Sequence, residues 1–376
     1  MSILAPDASA WSTARVDTVL AEFVAAGILG HFEVQLAAAA LRAAPTASDG
    51  ALLALGLVAR ATRLGHVCVD LDQIRLQVAA AGDDVGRSGD LTVPDLATWI
   101  GELERSDLVA TAGTAGASPL RPMVWDGRRL YLQRYWSFEI AVADAVARRQ
   151  DEEGIDLGEA PAAGDVDDAL DTVFPRVPGG SEDGPDLQRA AARRALIHRV
   201  SVIAGGPGTG KTHTVAAILV AGTHLSESRG LVLRAALAAP TGKAAARMQE
   251  AVEERVEALV DAAVVDQGRA EAILASRPTT IHRLLGSLGR SGFRHDRDNP
   301  LPHDLVIIDE TSMVSLPLLA RLLDALRPTA RLVLVGDPFQ LSSIEAGTVM
   351  ADLVGPWNGA STDDASPLRD RVTELV

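Results

Sequence analysis

The chain has 376 residues, 47% of them hydrophobic, enough for two or three domains with buried cores. Its single cysteine, Cys68, excludes an internal disulfide and fits a reducing cytoplasm, and no apolar run approaches the length of a membrane span. The net charge of −15 is uneven: residues 1–150 carry −4, residues 151–186 carry −11 and residues 187–376 are neutral, so the total neither supports nor excludes a nucleic-acid partner.

The N-terminus lacks the basic start and apolar run of a secretory signal. Residues 1–110 are expected to form a helical domain, because TVLAEFVAAGILGHFEVQLAAAALRAA and ALLALGLVARATRLG repeat apolar residues at three- and four-residue spacing. Pro94 opens a further helix, PDLATWIGELERS. His66 and Cys68 lie close together, but two such residues do not make a metal site. Residues 111–150 are expected to hold a hairpin, turning at Asp126-Gly127, and then a helix. The aromatics there suit a packed hairpin or a base-stacking platform. Residues 151–186 are expected to form an acidic linker with a short helix around Asp167–Phe174.

From residue 187 to 376 the texture becomes strand then helix, four times over. Strands are expected at Val200–Ala204, Leu231–Ala239, Leu305–Ile308 and Arg331–Val335, which makes a doubly wound parallel α/β sheet with its active edge where the strands end.

The first strand runs into GGPGTGKT. Gly205, Gly206, Pro207, Gly208, Thr209 and Gly210 form a turn whose backbone N–H groups suit phosphate oxygens. The helix starting at Lys211 points its positive end at the same place. Lys211 would reach the β- and γ-phosphates of ATP, Thr212 would ligate Mg²⁺, and His213 follows on the same helix. Gln188, seventeen residues before Gly205, carries an amide that can read an adenine. LVIIDE ends in Asp309, a candidate for the Mg²⁺ shell, and Glu310, a candidate to orient the attacking water. LVLVGDPFQL brings Gln340 to the same edge, where a neutral amide can sense the γ-phosphate.

Of 35 basic residues only Lys211 and Lys243 are lysine. A coding bias toward arginine explains the excess but not where the two lysines fall. A tight phosphate cradle accepts a compact ammonium and rejects a planar guanidinium. Lys243 lies with Thr241 in APTGKAAARM, where a hydroxyl and a helix start suit a phosphate contact or a plain helix cap. TTIHRLLG carries His282 on a capped helix. An insertion near 287–304, with Phe293, Arg290, Arg294 and Arg297, fits a DNA-contacting pin or a surface loop equally.

GGPGTGKTHT, APTGKAAARM, TIHRLLG, DETSM and GDPFQL, in that order, resemble superfamily 1 DNA helicases, most closely the RecD subunits of the RecBCD (exonuclease V) helicase–nuclease. LQRAAARRAL, GHVCVDL and RLYLQRYWSFE extend the resemblance upstream. It implies a RecA-like P-loop lobe behind a small α-helical N-terminal domain that docks on a RecC-like partner, with a RecB-like third subunit. It also implies ATP-driven 5′–3′ movement on single-stranded DNA from duplex ends, in double-strand break repair by homologous recombination. The candidate DNA contacts, from their place on the strand-end edge and in the basic insertion, are Thr241, Lys243, His282 and Arg294, His282 being more often a structural residue in such a position. The motifs of a second motor lobe are absent before Val376. The 376-residue chain alone is therefore expected to bind nucleotide, hydrolyse it poorly and not unwind. A stand-alone RecD-like helicase and a non-hydrolysing regulatory subunit are the alternatives; a small-molecule P-loop kinase ranks last.

Overall fold

The alanine- and leucine-rich opening forms three helices in the computed structural model, which describes residues 8–74, 91, 93–113, 121–150, 162–174, 186–289, 292–340, 347, 350, 353 and 368–375. The chain divides into two compact units, residues 1–140 with 344–347, and residues 141–343 with 348–376.

The first unit is built on α1 (Ala8–Ala25), α2 (His31–Ala43) and α3 (Asp49–Arg63). Leu52–Leu55 and Val58 of α3 are almost fully buried, because α1, α2 and a small sheet surround that helix. Glu33 in the first turn of α2 is also buried. Burial alone would raise its pKa, but the Gly30 N–H (2.7 Å) and Arg63 Nε (3.0 Å) hold the carboxylate below its ordinary range. The residues after α3 are not purely helical. β1 (Cys68–Asp70), β2 (Val109–Thr111), β3 (Met123–Trp125) and β4 (Arg129–Leu132) form a sheet in the order β1-β4-β3-β2, antiparallel except for β2 with β3. The expected hairpin is β3–β4. Asp126 Oδ1 accepts the Arg128 and Arg129 N–H groups, and Gly127 takes φ +98°. Met123, Trp125 and Tyr131 are buried, so these side chains pack the core and offer no stacking platform. α4 (Leu96–Arg105) starts after Asp95, whose carboxylate accepts the Thr98 N–H. Pro94 therefore precedes the cap instead of opening the helix. Trp99 Nε1 ties α4 to the Gly50 carbonyl of α3 at 2.8 Å.

α5 (Gln133–Gln150) leads to α6 (Ala163–Val173), inside the acidic stretch. α6 is a packed element of the second unit: Val166, Ala169, Leu170 and Val173, at helical spacing, are buried with α7 (Leu187–Ile197) and α8 (Lys211–Ser228). β5 (Val200–Gly205), β6 (Ala235–Ala239), β7 (Thr279–Thr280), β8 (Leu305–Ile308), β9 (Arg331–Gly336) and β10 (Val372–Leu375) form one fully parallel sheet in the order β10-β5-β9-β8-β6-β7. Buried on both faces, β5 and β8 read as continuous apolar runs. β6 begins at Ala235, opposite Leu305, and not at Leu231. Leu231 and Val232 lie exposed before the ladder, and Arg234 is tied to Asp304 through its N–H and guanidinium. α9 (Gly242–Asp261), α10 (Gln267–Leu274), α11 (Ile281–Leu284) and α12 (Leu316–Ala325) complete the unit. No described helix is long and apolar enough to cross a membrane.

Candidate functional site

The glycine loop lies between the end of β5 and the start of α8, so it faces the amino end of an 18-residue helix. Gly210 takes φ +85°, a conformation that disfavours any side chain, and a Cβ there would lie 2.2 Å from Gln188 Nε2, so that amide would have to move aside. Lys211 Nζ donates to the carbonyls of Gly205 (2.6 Å) and Gly206 (2.7 Å), and Thr209 Oγ1 donates to Gly206 O (3.0 Å). Pro207 and Gly208 form the exposed tip, and Thr212 is half-buried on the first turn of α8. Gln188 Nε2 donates to Thr209 O at 3.4 Å, from the first turn of α7. His213 lies off the loop: its ring meets Phe174 edge-on at 5.8 Å, and burial, then Arg255, lowers its pKa.

β8 delivers the carboxylates. The Asp309 N–H donates to Ala238 O (2.9 Å), and Asp309 Oδ1 accepts the Glu310 N–H (2.8 Å). Burial raises the Asp309 pKa, with help from the Glu310 charge; the Glu310 N–H and Lys211 oppose the rise. Glu310 sits in the left-handed region at φ 51°, ψ 42°, one of two described non-glycine residues with positive φ. Such a conformation costs about 1–3 kcal/mol and re-aims the side chain. The turn that follows packs on β9. A Cβ on Gly336 would meet Met350 Sδ at 2.7 Å and the Thr311 and Ser312 nitrogens at 3.1 and 3.3 Å. Asp337 is buried and accepts the Phe339 N–H, and its carbonyl accepts the Gln340 N–H. The side chain of Gln340 is exposed on this turn.

Because the six strands are parallel, their carboxyl ends share one edge, and strand order fixes the order of the residues along it. Lys211 follows β5, Gln340 follows β9, Asp309 and Glu310 follow β8, Thr241 and Lys243 follow β6, and His282 follows β7. The phosphate loop and the acidic pair are thus separated by one strand, and Gln340 emerges between them. Thr241 lies three strands from the loop, roughly 14 Å along the edge at ordinary strand spacing. Its hydroxyl caps α9 by accepting the Ala244 N–H (3.1 Å), and Lys243 beside it is exposed. His282 is exposed and tilts over Phe293 at 5.8 Å. Arg294 is exposed, its N–H bonded to the carbonyls of Leu285 and Gly286. The insertion is an ordered excursion: Ser287 bridges Phe293, and Asp296 Oδ1 accepts the Asp298 and Asn299 N–H groups. Arg290 lies outside the described residues. The sheet thus gathers Lys211, Asp309, Glu310 and Gln340 and holds Thr241, Lys243 and His282 apart. Sequence reasoning missed Phe174 as a neighbour of the loop helix; its only signal was an aromatic at the end of a short amphipathic helix.

Among the described residues no three His, Cys, Asp or Glu side chains cluster into a protein-only metal cage, and burial pushes the Cys68 thiol up to about 11. A hydroxyl at Thr212 and a half-buried carboxylate that burial makes costly to ionise fit a hard divalent cation that completes its shell with phosphate and water oxygens.

A strand interposed between the loop strand and the acid strand places this lobe in the RecA-like class of P-loop NTPase folds. Residues 188–346 match the family model "AAA domain", and residues 25–131 match "RecBCD enzyme subunit RecD, N-terminal domain". RecBCD enzyme subunit RecD of Mycobacterium tuberculosis (strain CDC 1551 / Oshkosh) is 43% identical over 334 residues, 88% of this chain and 52% of that protein. The RecD subunit of Mycolicibacterium smegmatis is 44% identical over 308 residues, covering 80% and 48%. An ATP-dependent RecD2 DNA helicase of Deinococcus radiodurans is 40% identical over 172 residues, covering 46% and 20%. The chain is similar to these RecD subunits along 80–88% of its length, and it spans about half the length of theirs.

Proposed function

We propose that the second unit binds ATP with Mg²⁺ and is the nucleotide-handling lobe of an ATP-driven 5′–3′ DNA helicase subunit. The subunit would work in the cytoplasm with RecC-like and RecB-like partners on duplex ends and single-stranded DNA, in double-strand break repair. The observation that carries this reading is Lys211, Asp309, Glu310 and Gln340 on one edge of one parallel sheet.

Lys211 exchanges the Gly205 and Gly206 carbonyls for the β- and γ-phosphates, which meet the loop N–H groups and the positive end of α8. Thr212 and Asp309 would hold Mg²⁺, which would supply charge neutralisation to the phosphates. Glu310, aimed by its left-handed backbone, orients the attacking water. Gln340 emerges between loop and acids, where loss of the γ-phosphate removes its partner. Thr241 and Lys243 contact the DNA backbone further along the edge, with His282 and Arg294 beyond them. Gln188 reads the adenine edge.

The test is ATP hydrolysis by the 376-residue chain with and without single-stranded DNA, beside Lys211→Ala and Glu310→Gln. Lys211→Ala should weaken nucleotide binding severely. Glu310→Gln should keep binding and lose at least about a hundredfold of any hydrolysis. Nucleotide binding that survives Lys211→Ala unchanged would sink the reading.

A further inference from the structure

Two elements far apart in sequence meet the glycine loop at its two ends. β10 lies against the first residue: in the parallel register Leu375 stands opposite Gly205, and a Cβ on Gly205 would lie 2.9 Å from the Leu375 carbonyl oxygen. That oxygen belongs to the sheet backbone and cannot swing away as a side-chain tip would, so β10 limits how far Gly205 can shift. Gly205 in turn offers one of the two carbonyls on which Lys211 Nζ rests. At the other end α7 reaches the loop through Gln188, whose Nε2 donates to Thr209 O at 3.4 Å. One side-chain bond joins the two elements: Arg194 of α7 donates from Nη1 to Thr373 Oγ1 of β10 at 2.7 Å. Thr373 is 3% exposed and pairs with Ile203, two residues before Gly205. Just before β10, the Arg371 guanidinium donates to the Arg149 and Gln150 carbonyls at the end of α5, which fixes the strand along its length. Packing does not explain the hydroxyl. A valine has the same shape and suits a buried parallel strand better, so the oxygen of Thr373 is present for Arg194.

We propose that Arg194 and Thr373 are positioning residues for the phosphate loop: their bond locks α7 to β10 and so holds the stretch from Gly205 to Thr209 in the shape that phosphate needs. The inference rests on the nucleotide reading above and adds to it two residues that touch no ligand. A loop held in its binding shape before the ligand arrives loses less freedom on binding, and affinity rises accordingly. A bond from a guanidinium to a buried hydroxyl is charge-assisted and directional, which suits it to fixing one element against another. Because the pair acts on the loop and not on the base, it should serve a nucleotide and a bare phosphate chain alike.

The test measures Kd for ADP and for inorganic tripolyphosphate on the full chain, well below each melting midpoint, in wild type, Thr373→Val, Thr373→Ser, Arg194→Met and the Thr373→Val/Arg194→Met double variant. Thr373→Val and Arg194→Met should each weaken both ligands, by the same factor of about threefold or more. Thr373→Ser keeps the hydroxyl and should stay within about twofold of wild type. The double variant should bind no worse than either single one, since both remove the same bond. A purely structural Thr373 gives the opposite order: serine, which loses a buried methyl, suffers and valine does not. Arg194→Met with its serine comparison decides the matter if the valine variant does not fold. Wild-type affinity in the valine and methionine variants, a loss for ADP alone, a serine variant as weak as valine, or losses that multiply in the double variant overturn the positioning pair while leaving the phosphate loop standing. Wild-type protein that binds neither ligand overturns the nucleotide reading and the pair with it.

Discussion

At the scale of single residues, Asp309 sets stability against chemistry. Burial raises its pKa above the ordinary 3.8, so the folded chain takes up a proton at a pH where the unfolded chain has released it. The cost to stability appears as pH rises through 3.8 and is complete above the folded value. Asn at this position carries no charge to desolvate. Asp309→Asn should therefore raise the melting temperature at pH 7 by about 2–4 °C while removing most of the Mg²⁺ dependence of nucleotide binding. In acid, where Asp309 is protonated, the stability difference should vanish. Thermal scans at pH 3 and pH 7, with and without MgADP, check both halves. A destabilised Asn variant at pH 7 would mean that the Lys211 field outweighs burial.

At the scale of elements, one helix end is closed by a group distant in sequence. Arg149 at the end of α5 is buried, and its guanidinium donates to the carbonyls of Ala145, Leu323 and Leu326, so it satisfies the carboxyl end of α12. Burial lowers its pKa to about 10, which still leaves it charged at neutral pH. Arg149→Ala leaves those carbonyls unpaired and should cost about 2–4 kcal/mol, read as a lower urea midpoint. The glycine loop, LVIIDE and the Asp126-Gly127 turn were legible because each obeys a local rule of spacing or conformation. α6 was legible only as a short helix: Val166, Ala169, Leu170 and Val173 have core spacing, but the acidic neighbours gave the segment the composition of a linker. The three-residue strands β1 and β2 are too short to show alternation. Neither the left-handed backbone of Glu310 nor the backbone approach at Gly336 has a sequence signature, since both are imposed by packing between β8 and β9.

For the molecule as a whole, the strand order turns a list of motifs into a line of stations. The glycine loop and the candidate DNA groups at Thr241 and Lys243 share an edge but sit three strands apart, with the acidic pair between them. A variant at the β6 station should therefore act on DNA and spare nucleotide. Thr241→Ser with Lys243→Ala keeps a hydroxyl cap on α9 and removes the ammonium. It should leave the Kd for ADP within about twofold, weaken single-stranded DNA severalfold and flatten its salt dependence by about one charge. Unaltered DNA binding across a salt series would take Lys243 off the DNA path.

The pairing of β10 with β5 bears on how the lobe comes into being. Val202 finds its partner Val372 about 170 residues further along, so one flank of the phosphate-loop strand is closed by a contact of very high sequence separation. During synthesis β5, α8 and the glycine loop emerge early, yet that flank stays a bare row of amides and carbonyls until residues 372–375 leave the ribosome. The nascent lobe thus keeps an open strand edge through most of its translation, and the sheet beside the glycine loop closes only when the two distant segments meet.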